Sequence, residues 1–290
     1  MIKIKKLEFG EVKGYMIGKG PVGPPLMSVA FYMIDGVLID TGFSRMEKIV
    51  LELLEKKPPH TILLTHFHED HSGNAAAIKK RYNAKICGSL PTARLMAALP
   101  KILPYEHLIW GRASESDVDP VAESINSGRY CFTPIYTPGH SADHTVYLEK
   151  EHGWLFSGDL YIAEKIKFFR SDERIEDQID SIKKVLEHDF DAIFCGHRPC
   201  LENGKASLKS KLAFLEDIRG NVGKMLEKGY AENQIIKSFQ NSSARHIKLL
   251  TMGNVSFRNM IYSAINSCVS PGSHRSPNDN VLYPFFSGWK

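Results

Sequence analysis

The chain has no apolar run approaching the roughly 18 residues that a bilayer-spanning helix needs. Its first residues, Met1-Ile2-Lys3-Ile4-Lys5-Lys6-Leu7, alternate apolar and basic side chains without an apolar core segment or a small-residue cleavage site. They read as a first strand, so a cytoplasmic protein with no membrane partner is expected. An excess of charge of one sign is also lacking: 37 Lys and Arg stand against 33 Asp and Glu, a formal net charge of +4. That balance is no nucleic-acid signature by itself. Cysteine is scarce, and Cys87, Cys131, Cys195, Cys200 and Cys268 are odd in number, widely spaced and free of any C-x-x-C pair. A disulfide framework is therefore not expected, and the thiols read as small buried hydrophobes. Cys195 and Cys200 flank His197, which leaves a metal or redox role open for that pair. There is no internal repeat.

What is present is an ordinary globular composition: 290 residues, 43% hydrophobic and 24% charged, enough for a sizeable core and one to two domains. Four apolar runs, at residues 3–9, 14–17, 27–34 and 37–40, are parted by glycine and proline and predict consecutive strands, antiparallel at the start. Ser44-Arg45-Met46-Glu47 has capping-box spacing, and Met46, Ile49, Val50, Leu53 and Leu54 recur with helical period, so a helix is predicted to open there and stop at Pro58-Pro59. Strand and helix then alternate, with strands over 60–65 and 84–87 and helices over 74–82 and 92–99. Residues 100–128 are weakly patterned and read as a long connection beside the site. Further strands are predicted over 132–137, 145–149, 153–157 and 191–195, with a helix through Ile175, Ile179, Ile182 and Val185. A helical stripe from Leu208 to Leu226, interrupted near Gly220 and Gly223, and shorter helices over 231–239, 244–251 and 256–266 form a C-terminal extension. The remainder, rich in Ser, Pro, Gly and Asn, reads as an irregular tail whose Tyr283-Pro284-Phe285-Phe286 and Trp289 are suited to docking on the body or a partner.

The stretch Leu64-Thr65-His66-Phe67-His68-Glu69-Asp70-His71-Ser72-Gly73 packs three imidazoles and two carboxylates into six positions directly behind an apolar strand. On a helix, His66 and His68 would point well apart, so convergence requires a tight loop at the strand end. Glu69 is expected to be exposed, pointing away from its neighbours. Imidazole and carboxylate donors suit Zn(II), and also Fe(II) or Mn(II). Three more candidates follow apolar strands beside a glycine: His140 in Thr137-Pro138-Gly139-His140, Asp159 in Ser157-Gly158-Asp159, and His197 in Gly196-His197. Together these donors exceed what one tetrahedral ion needs, so two divalent ions are expected.

With this ordered set of motifs the chain resembles the metallo-β-lactamase-fold hydrolase superfamily over roughly residues 1–200, and is similar to its glyoxalase II-like and β-lactamase-like endoribonuclease members. The resemblance implies an α/β protein, a four-layer αββα sandwich with the site at one edge. The organisation expected is a catalytic domain over 1–203, a helical extension over 204–268 and the tail over 269–290. It implies His66, His68 and His140 for a first ion, Asp70, His71 and His197 for a second, and Asp159 bridging. A strict β-lactamase would differ, for instance with cysteine at the position of Asp159. Asp40, in Ile39-Asp40-Thr41-Gly42, stands where the family has an aspartate that orients a ligand histidine by accepting its other N–H. His144 and Asp143 are further candidates for such support, and Asp70 is the candidate for proton handling during turnover.

The chemistry expected is attack on a carbonyl or phosphoryl centre by a hydroxide held between the ions, available near neutral pH and needing no Ser or Cys nucleophile. A small-molecule ester, thioester or lactone is the first substrate class. The alternative is a small metal-dependent endoribonuclease or phosphodiesterase acting on RNA. The Thr-Pro-Gly-His motif, the helical extension and Lys205, Lys209, Lys211, Arg219, Lys224 and Lys228 speak for it, whereas interleaved Glu216, Asp217 and Glu227 make that series an ordinary solvated face. A non-hydrolytic metal-binding or redox domain is the third reading, although no flavodoxin domain fits after residue 200. By proximity, Tyr161, Arg198 and the 100–128 segment with Tyr105, His107 and Trp110 are candidates for substrate contact; Tyr161 and Trp110 suit core packing equally well. Leu250-Thr251-Met252-Gly253-Asn254-Val255-Ser256 and Asn259 resemble the C-terminal region of poorly characterised bacterial family members. No signature of oligomeric state is present.

Overall fold

A computed structural model describes residues 2–20, 27–121, 123–239 and 245–269. The tail beyond Val269 lies outside the described residues. An antiparallel meander of β1 (Ile2–Phe9), β2 (Val12–Lys19), β3 (Ser28–Ile34) and β4 (Val37–Ile39) starts the first sheet. Parallel strands β5 (Thr61–Leu63), β6 (Lys85–Gly88) and β7 (Asp119–Pro120) extend it to seven in sequence order. The crossovers carry α1 (Glu47–Leu54), then α2 (Glu69–Ser72) and α3 (Ala75–Tyr82), then α4 (Leu90–Ala97) and α5 (Pro104–Ile109). In the second sheet β8 (Ile125–Ser127), β9 (Tyr130–Tyr136), β10 (Thr145–Glu149) and β11 (Trp154–Gly158) run antiparallel, and β12 (Ala192–Cys195) joins β11 in parallel after α6 (Ile175–Leu186). Among the described residues four more helices follow: α7 (Gly204–Glu227), α8 (Glu232–Ser238), α9 (Arg245–Leu250) and α10 (Phe257–Val269).

The layers follow from strand alternation. Along β3, Val29, Phe31 and Met33 turn outward with Val50, Leu54 and Ile78, whereas Ala30, Tyr32 and Ile34 turn inward with Phe132, Tyr147, Phe156 and Phe194. On the second sheet, Val146, Leu148 and Leu155 turn outward and join side chains of α6, α7, α8 and α10 in one apolar cluster. Helices, sheet, sheet and helices thus form the four-layer αββα sandwich. Among the described residues no helix is long and apolar enough to cross a membrane.

Local expectations fail where tertiary partners intervene. Ser44 does not cap a helix: Ser44–Met46 forms a 3-10 turn, α1 starts at Glu47, and the Ser44 hydroxyl donates to the Trp110 carbonyl (3.4 Å). The stripe expected to break at Gly220 and Gly223 is one helix of 24 residues. A glycine inside a helix costs only about 1 kcal/mol relative to alanine, and packing of α7 against α6 and α10 outweighs it. The 100–128 connection is not irregular throughout, since it contains α5, β7 and β8.

Candidate metal centre

The donor-bearing loops leave strands that the two sheets bring to one edge. Asp40 follows β4 and the His66 loop follows β5, parallel neighbours joined beyond their ends by Asp40 N–H donating to the Leu63 carbonyl (3.0 Å). Asp159 follows β11 and His197 follows β12, joined by Gly196 N–H to the Gly158 carbonyl (2.9 Å). Bonds between the sheets lock the two pairs together: Thr145 N–H donates to the Thr65 carbonyl (2.8 Å), Ala30 N–H to the Gly196 carbonyl (2.6 Å) and the Tyr147 hydroxyl to the Leu64 carbonyl (2.9 Å).

All seven expected donors meet there. His68 Nδ1 lies 3.0 Å from His66 Nε2 and 3.1 Å from His140 Nε2. On the other side His197 Nε2 lies 3.4 Å from Asp70 Oδ2, and His71 Nε2 lies 3.8 Å from the same oxygen. Asp159 stands between the groups, with Oδ2 3.4 Å from His140 Nε2 and 3.2 Å from His197 Nε2, and Oδ1 3.4 Å from His71 Nε2. Two glycines make this density feasible. A Cβ on Gly196 would stand 2.5 Å from His71 Cε1 and 2.9 Å from Asp159 Oδ1, and Gly158 (φ +46°) has no room beside His144 and Thr65.

The outer ring nitrogens fix the orientation. His71 Nδ1 donates to Asp40 Oδ2 (2.7 Å), His197 Nδ1 to the Ser28 carbonyl (2.7 Å) and His66 Nδ1 to the Thr65 hydroxyl (3.0 Å), which itself donates to Asp40. Each of these three rings then turns its Nε2 inward. Asp40 adopts a left-handed backbone conformation (φ +59°), which Asp tolerates better than most residues. Asp143 accepts from Phe67 N–H (2.8 Å) and the Ser141 hydroxyl (2.7 Å), tying the His68 loop to the His140 loop. His144 Nε2 accepts the Asp159 N–H (3.0 Å).

Electrostatics divide the site. Burial holds His66 and His68 well below the ordinary histidine range, so both are neutral. Burial also pulls on His71 and His197, but Asp159, together with Asp70 and Asp40 at His71 and Asp70 at His197, lifts both well above it. Burial raises Asp70 and Asp159, yet His71 and His197 outweigh it and hold both carboxyls below their usual range. His71 Nε2 and Asp159 Oδ1 are buried facing each other at 3.4 Å, a separation longer than a good hydrogen bond. Convergent imidazole nitrogens facing two carboxylates are a donor set that divalent cations satisfy once they displace the ring protons, so the residues fit metal ions.

Some expectations need correction. Glu69 is not exposed: it is 6% accessible in the single-turn helix α2, where burial and the adjacent Glu106 push its carboxyl up to about 7. Tyr161, a candidate for substrate contact or core packing, lies in the outer apolar cluster of the second sheet, while Arg198 is exposed directly beyond His197. Trp110 is buried edge-on against Phe43 (5.1 Å), its ring 6.5 Å from that of His197. Tyr105 is buried and His107 exposed. Of the basic series on α7, Lys205 pairs with Asp189 (2.7 Å), Arg219 pairs with Glu176, and Lys211 is only 1% exposed. Cys195 is buried, its Sγ accepting from His197 N–H (3.4 Å).

Sequence reading missed Glu173, whose Oε1 lies 3.3 Å from His140 Nδ1 and whose Oε2 accepts from Gln178 Nε2 (2.6 Å). It also missed Arg170, which donates to Glu106 (2.8 Å) beside the site. Nothing local marks either. The one available signal was the Asn254/Asn259 stretch, which grips this segment: Asn259 Nδ2 donates to the Phe169 carbonyl (3.1 Å) and Asn254 Nδ2 to the Tyr105 hydroxyl (2.7 Å).

Comparison with known proteins agrees with this geometry. The metallo-beta-lactamase superfamily model matches residues 24–197. A beta-lactamase-like protein 2 homolog of Drosophila melanogaster is 28% identical over 199 residues, 64% of either chain. A hydroxyacylglutathione hydrolase of Legionella pneumophila (strain Lens) is 31% identical over 150 residues, 50% of either chain. The chain thus spans between half and 64% of the length of these curated relatives. Among solved structures, a metallo-beta-lactamase family protein of Thermus thermophilus superposes with a TM-score of 0.59 at 16% identity, covering 91% of this chain and 90% of that one. The matched segment contains every donor from Asp40 to His197, and the chain belongs to the metallo-beta-lactamase superfamily.

Proposed function

We propose that this protein is a dinuclear metal-dependent hydrolase that cleaves a small carboxylic ester, thioester or lactone. The observation that carries this reading is Asp159, whose two carboxylate oxygens reach histidines of both donor groups. His66, His68 and His140 would hold one ion and Asp70, His71 and His197 the other, with Asp159 shared; zinc suits the set, and iron or manganese is compatible with it. Bound there, such a pair acidifies water and polarises a carbonyl, contributing several kcal/mol to the transition state.

The chain's own residues orient and exclude. Asp40, Thr65 and Ser28 aim the inner nitrogens, and Glu173 faces the outer nitrogen of His140. Most donors are almost fully buried, but the His197 side chain is 26% exposed. Substrate therefore approaches along the His197 edge, where Arg198 and Trp110 lie. The Asp70 carboxylate, 3.4 Å from His197 Nε2 on that same edge, is where we place the proton that would leave the attacking water and pass on to the leaving group.

The relative named as a hydroxyacylglutathione hydrolase supports an acyl substrate. The nuclease reading is weakened because Lys205 and Arg219 are paired and Lys211 is buried, which leaves Lys209, Lys224 and Lys228 as the exposed cations of the series. The decisive experiment is metal analysis of the purified protein with Asp159→Ala and His68→Ala variants, followed by thioesters, lactones, cyclic nucleotides and RNA on zinc-, iron- and manganese-loaded protein. Two ions per chain and acyl turnover are expected. Full metal content and activity in both variants would overturn the ligand assignment, and preferential RNA cleavage with a steep salt dependence would replace the substrate class.

A further inference from the structure

On α7 the buried positions Leu208, Lys211, Leu215, Ile218 and Val222 form one stripe against the second sheet. Four are aliphatic, and the fifth puts an ammonium where an apolar side chain would pack at no desolvation cost. A local rule broken in an otherwise regular element calls for a compensating contact. The contact is a 2.6 Å hydrogen bond from Lys211 Nζ to the Leu160 carbonyl, one residue beyond the shared carboxylate Asp159.

Polar groups of the backbone around Asp159 are held both within the turn and by other parts of the fold. Gly158 C=O accepts from Gly196 N–H (2.9 Å), Asp159 N–H donates to His144 Nε2 (3.0 Å), and Leu160 N–H donates to the Ser157 carbonyl (2.9 Å). The Leu160 carbonyl completes the series, and its donor is the only one of these that comes from the C-terminal helices. Asp159 must present both oxygens to opposite donor groups, so a small rotation of this turn would break one side of the site.

We propose that Lys211 is a positioning residue: through the Leu160 carbonyl it fixes the turn that aims Asp159, making the helical extension part of the metal centre. This rests on the dinuclear reading above. The test is competition of Zn(II) against a chromophoric chelator with metal-free full-length wild type, Lys211→Met and Leu215→Ala, with thermal unfolding of the same metal-free samples. Lys211→Met keeps an unbranched chain of similar length in the stripe, whereas Leu215→Ala opens a void one turn further on.

Supporting contacts around metal ligands typically account for about 10- to 100-fold in affinity. Lys211→Met is expected to bind at least one of the two ions about tenfold more weakly, with its metal-free midpoint unchanged or raised. Leu215→Ala is expected to lower the midpoint and keep wild-type affinity. Equal weakening by Leu215→Ala would show general destabilisation and overturn the proposal. If Lys211→Met does not fold, Lys211→Gln carries the same comparison: reduced affinity in the folded protein supports the assignment, and wild-type affinity overturns it. Two ions in wild type held equally tightly by Lys211→Met would overturn this inference alone, whereas a wild type that takes up no ion pair overturns the dinuclear reading and this inference with it.

Discussion

Asp40 acts one step away from the inner donor atoms: its carboxylate accepts from His71 Nδ1, Thr65 N–H and the Thr65 hydroxyl. Asp40→Asn keeps the shape but must turn an NH2 group toward one of those donors. A loss of about 10- to 100-fold in metal affinity is expected, measured by chelator competition. The charge pattern makes a second prediction. In the metal-free chain His71 and His197 are held above the ordinary histidine range by the facing carboxylates and carry protons near neutral pH. A cation arriving at Nε2 must displace them, so uptake releases protons and affinity falls as pH is lowered. Calorimetric titration at pH 7 in buffers of different ionisation enthalpy measures the number released; no dependence on the buffer would contradict the assignment. At this scale His66, His68, Asp70 and His71 were legible because they are neighbours in sequence. Glu173 was not, because its partner His140 lies across a loop and two strands, and Glu69 misled because a loop at a strand end looks solvated until α5 covers it.

Among the elements, the turn after β12 is where substitution should matter most for its size. Gly196→Ala adds one methyl group that would press on His71 Cε1 and Asp159 Oδ1 from 2.5 and 2.9 Å. Metal content is expected to fall to one ion or none, with far-ultraviolet circular dichroism unchanged, because the clash lies at the site and not in the sheets. Helix α7 offers a test by pH. Burial draws the Lys211 ammonium down from 10.5 to about 8. Between those values the unfolded chain binds the proton and the folded chain does not, so stability attributable to Lys211 rises with pH across that window. The full penalty is present below pH 8, and its relief amounts to about 3 kcal/mol. Chemical denaturation at pH 8 and pH 10 should show wild type gaining relative to Lys211→Met; parallel curves would rule the effect out. The apolar period of α7 was readable in the sequence. That Lys211 lies inside its stripe was not, since a lysine among acidic and basic neighbours reads as solvent-facing.

At the scale of the whole molecule, the proposed reading makes two groups of donors from both sheets one binding site for ions, and binding to the folded state alone would stabilise it. At free metal 1,000 times above Kd the gain is about 4 kcal/mol. For a chain of this size the midpoint should rise by roughly 8 °C over chelator-treated protein. Thermal unfolding with and without chelator measures this, and coincident curves would contradict a site that spans the sheets. The sequence by itself determined the alternation of strand and helix, the donor types and their placement at strand ends, because period, glycine and the H-x-H-x-D-H cluster are local patterns. Tertiary structure alone decided which donors share an oxygen, which lysine is buried, and that the C-terminal helices reach the turn after Asp159. Those outcomes depend on the packing of segments tens of residues apart, and the distances between such segments are set by the closed sandwich and not by any one of them.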